Sequence, residues 1–139
     1  MMKGLALGQK AETHRTFHDR DIREYMALTG DINPIYFDRE EAQRAGFEGP
    51  VLPNPLLGGL FSYLLGTQLP GRGTNYLKQS FQFSSPAHIE EEIIASVVIV
   101  RLRPEKELVN LHTTCRNSTG IVFCDGEALV LVRDLERNQ

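Results

Sequence analysis

The chain has 139 residues, which suits one domain spanning residues 1–139 with a sizeable core. Its residues are 41% apolar and 24% charged, an ordinary globular mixture. A net charge of -3 argues against a basic nucleic-acid footprint, two cysteines are too few for a disulfide scaffold, and no apolar run approaches the roughly 18 residues of a membrane span.

Met1-Met2-Lys3-Gly4-Leu5 lacks the apolar core of a signal peptide, so a cytoplasmic protein is expected. Residues from Gly8 to Phe17 alternate loosely and read as a short edge strand. Asp19 then offers an N-cap, Ile22, Tyr25, Met26 and Thr29 recur at helical spacing, and Gly30 ends that helix. Pro34 should hold Asn33 extended. Asp38 should cap a second short helix through about Ala45, with Glu41 as its capping-box partner and Gly46 as its stop. Two bends thus hold a carboxylate (Asp31), an amide (Asn33) and a phenol (Tyr36) within a few residues. Such a stretch is either a polar connection whose Asp and Asn satisfy the backbone, or a constrained loop that aims Asp31.

Residues 48–53 form a rigid loop. Asn54 reads as an N-cap and Pro55 as the first residue of a helix running to about Leu69. That segment is apolar nearly all round and should be buried. Gly58 and Gly59 weaken a helix by up to about 1 kcal/mol each. Either a sheet or ligand comes close there, or core packing alone accounts for them. Strands are expected over 75–84, 91–103, 107–116 and 120–134. Within the third, Val109, Leu111 and Thr113 share one face; Leu108, Asn110 and His112 share the more polar one, which makes His112 a solvated side chain. A two-residue loop at Thr119-Gly120 sets Cys115 opposite Cys124, two small, reduced residues on a sheet. His14, His18, His88 and His112 are scattered, so neither a metal nor another cofactor is expected. Helices first and strands last indicate an α+β fold whose antiparallel sheet wraps the one apolar helix.

The stretch Gly30-Asp31-x-Asn33-Pro34-x-Tyr36-x-Asp38 resembles the hydratase signature of the MaoC-like dehydratases, the (R)-specific enoyl-CoA hydratases of the hot-dog fold, which reads roughly Gly-Asp-x-Asn-Pro-x-His-x-Asp. Tyr36 stands where that family has its catalytic His. The similarity continues through Ala45-Gly46-Phe47, Leu60-Phe61-Ser62, Gln68-Leu69-Pro70-Gly71 and Tyr76-Leu77-x-Gln79-Ser80-x-x-Phe83.

The resemblance implies a hot-dog fold, an acyl-CoA or acyl-carrier thioester as substrate, and a homodimer or a heteromer with a related subunit, which also covers exposed sheet edges. In that family an Asp and a His hold the water that adds to a trans-2-enoyl thioester, and a backbone N–H at the start of the central helix faces the thioester oxygen. Asp31 and Tyr36 are then the catalytic candidates, and Asn33, Asn54, Gly58 and Ser62 the substrate-binding ones. Asn33 reads mainly as loop support. Ser62 either orients the catalytic pair or bonds its own preceding turn. Pro53-Asn54 replaces the family's His-Gly, but keeps a helix N-terminus and a backbone N–H. Arg72 and Lys78 are either contacts for CoA phosphates or plain solvated cations. A phenol holds water well, yet its pKa of about 10, against about 6.5 for His, makes it a poor base. Three functions follow: a hydratase working mainly through Asp31, a non-catalytic acyl-thioester binder or degenerate dehydratase subunit, and another hot-dog activity such as a thioesterase. The motif favours the first over the third; Tyr36 and Pro53-Asn54 favour the second over the first.

Overall fold

The computed structural model describes residues 4–133. Strand β1 (Lys10–Thr16) leads into helix α1 (Asp19–Thr29), a single 3-10 turn (Pro34–Tyr36) and the short helix α2 (Arg39–Arg44). Helix α3 (Asn54–Thr67) follows, then β2 (Thr74–Gln79), β3 (Gln82–Phe83), β4 (Glu92–Arg103), β5 (Leu108–Arg116) and β6 (Val122–Val132). The sheet order is β1-β4-β5-β6-β2, with β3 also on β6, and every pairing is antiparallel. This is the α+β hot-dog arrangement, a sheet wrapped on one apolar helix.

The core lies between them. Leu57, Leu60, Phe61, Leu64 and Leu65 of α3 pack with Ile93, Val97, Val109, Leu111, Phe123 and Val130 of the sheet. Alternation along β5 is as the sequence implies: Val109, Leu111, Thr113 and Cys115 are buried, while His112 is exposed. Helix α3 departs from the all-round burial its composition implies. Gly59, Ser62, Tyr63, Gly66 and Thr67 leave one face open. The sheet covers only the face carrying the large side chains.

Three further details differ from the sequence reading. The strand expected over 75–84 is broken at Ser80 and Phe81. The Ser80 N–H donates to the Glu127 carbonyl at 2.9 Å, and its own carbonyl lies against Gly126, where a Cβ would sit 1.9 Å from that oxygen. Glycine is required there by close approach of another backbone. The β5–β6 turn is longer than two residues: Asn117 N–H donates to Ile121 O at 2.9 Å, and Asn117 Oδ1 accepts from Thr119 and Ile121 N–H. A bulge after Cys115 absorbs the extra residue, so Cys115 still faces Cys124. Both cysteines are free and buried. The expected capping residues also move back by one: His18 flanks α1, with its N–H donating to Asp21 Oδ2 at 2.8 Å, and Pro53 flanks α3, leaving Asn54 as its first residue. Residues 134–139, which include the expected end of the last strand, lie outside the described residues, as do residues 1–3.

Candidate active site

The loop between α1 and α2 is built from local rules. Gly30 takes the left-handed conformation, φ 78°, and its N–H donates to Met26 O at 2.9 Å, ending α1. Asn33 is extended, φ -59° and ψ 123°, as the following proline demands. Its Oδ1 accepts from the Ile35 N–H at 3.2 Å and starts the 3-10 turn. Asp38 caps α2 by accepting from the Glu41 N–H at 3.2 Å. The reciprocal half of the expected capping box is missing. The Asp38 N–H donates instead to Pro34 O at 2.8 Å, and the Glu41 carboxylate pairs with Arg44.

These bends bring Asp31 and Tyr36 together. Tyr36 Oη donates to Asp31 Oδ2 at 2.9 Å. A third residue joins them: Tyr25 Oη, from α1, donates to the same Oδ2 at 3.0 Å. The two phenol rings meet edge to face at 6.3 Å. Thr29 ties the carboxylate's backbone to the helix, accepting from the Asp31 N–H at 3.1 Å and donating to Tyr25 O at 2.8 Å. Burial first, then the Asp31 carboxylate, pushes the Tyr36 phenol up to about 12. The same causes raise Tyr25. Both therefore remain protonated donors at neutral pH.

Neither Tyr25 nor Thr29 emerges from sequence reasoning as a site residue. Tyr25 falls on the apolar stripe with Ile22 and Met26 and reads as core. The available signal is its hydroxyl, since a Tyr in such a stripe needs a polar partner.

Tyr36 also lines a cleft of about 310 Å³, shared with Ile35, Phe47, Asn54, Pro55 and Phe83 among others. The Val51 N–H donates to Ile35 O at 3.0 Å, and Leu52 N–H to Ala87 O at 2.8 Å. Those bonds fix the loop before α3, so that the helix N-terminus opens beside Tyr36. Among the described residues lining this cleft, Tyr36 and Asn54 are the predicted site residues. Asp31 adjoins it through Tyr36, and Asn33 supports the turn. Gly58 and Ser62 line a shallower groove with Tyr76, Leu77, Lys78 and Phe81, on the open face of α3. The close approach at Gly58 is by the Phe81 ring, 3.0 Å from where a Cβ would be. Arg72 and Lys78 are both exposed.

A sheet wrapped on one apolar helix, with a carboxylate held by two phenols beside that helix's N-terminus, defines a protein of the hot-dog class. Comparison with known proteins agrees. Residues 4–120 match the model of the MaoC-like domain. The chain is 38% identical over 128 residues to the (R)-specific enoyl-CoA hydratase of Aeromonas caviae, covering 92% of this chain and 96% of that protein. It is 36% identical over 133 residues to a mitochondrial 3-hydroxyacyl-[acyl-carrier-protein] dehydratase of Solanum lycopersicum, covering 94% of this chain and 79% of that one. Among solved structures, the (R)-hydratase from A. caviae involved in PHA biosynthesis superimposes with a TM-score of 0.89 at 37% identity, covering 94% of this chain and 99% of that one. The chain belongs to the MaoC-like dehydratase family.

Proposed function

We propose that this protein is an (R)-specific enoyl-CoA hydratase, or 3-hydroxyacyl thioester dehydratase in the reverse direction, with residues 1–139 forming one catalytic hot-dog domain. The observation that carries this reading is the Asp31 carboxylate, held by Tyr36 at the edge of a cleft into which the α3 N-terminus opens. Similarity to the A. caviae hydratase over 92% of this chain and 96% of that protein supports it.

Hydration requires water to lose a proton as its oxygen bonds to the β-carbon. The C=C electron pair then moves toward the thioester oxygen, and a proton is returned to the α-carbon. Asp31 takes the proton from water and, once protonated, is the acid that returns it. Tyr36, with its phenol pushed up to about 12, gives its one proton to Asp31 Oδ2, holds the water as a hydrogen-bond acceptor, and is not a base at neutral pH. The enolate-like oxygen needs a donor. Pro53 and Pro55 carry no N–H, and the Leu56 N–H bonds Pro53 O, so the backbone N–H of Asn54 is the donor we assign. Asn33 braces the loop; Gly58 and Ser62 act on substrate only through the open face of α3.

A second reading is a non-catalytic acyl-thioester binder, or the degenerate subunit of a heteromeric dehydratase. What favours it is the phenol in place of an imidazole at position 36. The purified protein alone, given crotonyl-CoA, decides between them: loss of the enoyl absorbance with formation of the (R)-3-hydroxy product supports the hydratase. Binding without turnover supports the alternative. Presenting the same acyl chain on CoA and on an acyl carrier protein then assigns the carrier.

The reading includes a homodimer or a pairing with a related subunit. Among the described residues, strand β1 pairs on one side only, and α3 leaves Gly59, Ser62 and Tyr63 open. Light scattering should return twice the chain mass.

A further inference from the structure

We propose that Tyr25 is a positioning residue of the site: with Tyr36 it occupies Oδ2 of Asp31 and leaves Oδ1 as the oxygen that takes the proton from water. The inference rests on the hydratase reading for its chemistry, but its geometry stands alone.

A carboxylate oxygen offers two in-plane lone pairs. Oδ2 already accepts from Tyr25 at 3.0 Å and Tyr36 at 2.9 Å, so it has no capacity left for a reacting water. Among the described residues, no donor is directed at Oδ1. The backbone adds to the constraint. Asp31 follows a left-handed glycine, its N–H is held by Thr29, and the carboxylate cannot exchange its two oxygens by rotation without breaking both phenol bonds.

The two tyrosines do different things. Tyr36 lines the cleft and can touch the water or the substrate. Tyr25 comes from α1 and acts on the reaction only through Asp31. Among the described residues, the titratable groups hydrogen-bonded to the Asp31 carboxylate are these two phenols.

Tyr25→Phe removes one hydroxyl and keeps the ring. We expect kcat for crotonyl-CoA hydration to fall about tenfold or more, with KM within about twofold, the signature of an interaction felt in the transition state. A loss confined to KM overturns the proposal, as does no change in either constant. Should the unaltered protein show no turnover, the hydratase reading fails, while the exchange rate of the Tyr25 phenol proton still decides whether Tyr25 is bonded to Asp31. A measurement without any variant serves if Tyr25→Phe does not fold. In ring-labelled protein, a slowly exchanging Tyr25 phenol proton supports the bond, and one exchanging freely with solvent overturns it.

Discussion

Tyr36 and Asp31, joined by a 2.9 Å hydrogen bond from phenol to carboxylate, hold each other across the 3-10 turn that begins at Pro34. The turn sets the distance. Asn33 starts it by bonding Ile35, Gly30 ends the helix before it, Pro34 is its first residue, and the tyrosine at its last position is thereby returned to the aspartate before it. The pair combines one anionic oxygen acid with one neutral donor, and this asymmetry governs how each should respond to substitution.

Asp31→Asn should abolish hydration. A positioned acid/base group contributes about 10²–10⁴-fold, and an amide cannot exchange the proton. The measurement is the loss of crotonyl-CoA absorbance by purified variant and parent. Undiminished turnover in the variant would place the chemistry elsewhere.

Tyr36 should respond in the opposite direction to one of its two informative changes. Tyr36→His should raise the rate, and its pH–rate profile should gain a limb near about 6.5, the ordinary value for His. Tyr36→Phe should lower the rate, but less than Asp31→Asn does, because it removes a hydroxyl that holds the water and the carboxylate and not the group that takes the proton. A Tyr36→Phe loss as large as that of Asp31→Asn would make the phenol itself the proton carrier.

Gly126→Ala should destabilise the fold by about 1–3 kcal/mol, the usual cost of forcing atoms into filled space. The new Cβ would lie 1.9 Å from the Ser80 carbonyl oxygen, and backbone on that side has no flexible end to yield. Urea denaturation monitored by circular dichroism gives the number. Gly59→Ala, with nothing within 4 Å of its Cβ, is the matched control and should be neutral or stabilising.

The two thiols predict an alkaline loss of stability. Burial, and next the Asp125 charge, push Cys124 from its ordinary 9.0 up to about 11; burial, and next Cys124, raise Cys115 as well. The unfolded chain therefore releases a proton near pH 9 that the folded chain keeps until about 11. Stability is fully present below the first value and falls as pH rises through the second. Urea midpoints measured from about pH 8 to about pH 10.5 should drop, and Cys124→Val should reduce that drop. Thiol titration after denaturation without reductant should find both cysteines free in each chain.

Much of the site was legible along the chain because its determinants are local. A left-handed glycine, a proline that fixes its predecessor and an aspartate that caps the next helix each act over three or four residues, so the bends around Asp31 follow from Gly30, Pro34 and Asp38. Alternation assigned the faces of β5 for the same reason, since a strand's side chains switch sides at every residue. What depended on elements far apart was not legible. Tyr25 and Asp31 are on a helix and a loop whose angle is set by packing, and only that packing turns a core-like tyrosine into a donor to the carboxylate. The break between β2 and β3 comes from Gly126, about 46 residues beyond Ser80, where two backbones meet. The open face of α3 likewise reflects how far the sheet reaches around it. Composition marks that helix as apolar, but which of its residues lose water is a property of the surfaces brought against it.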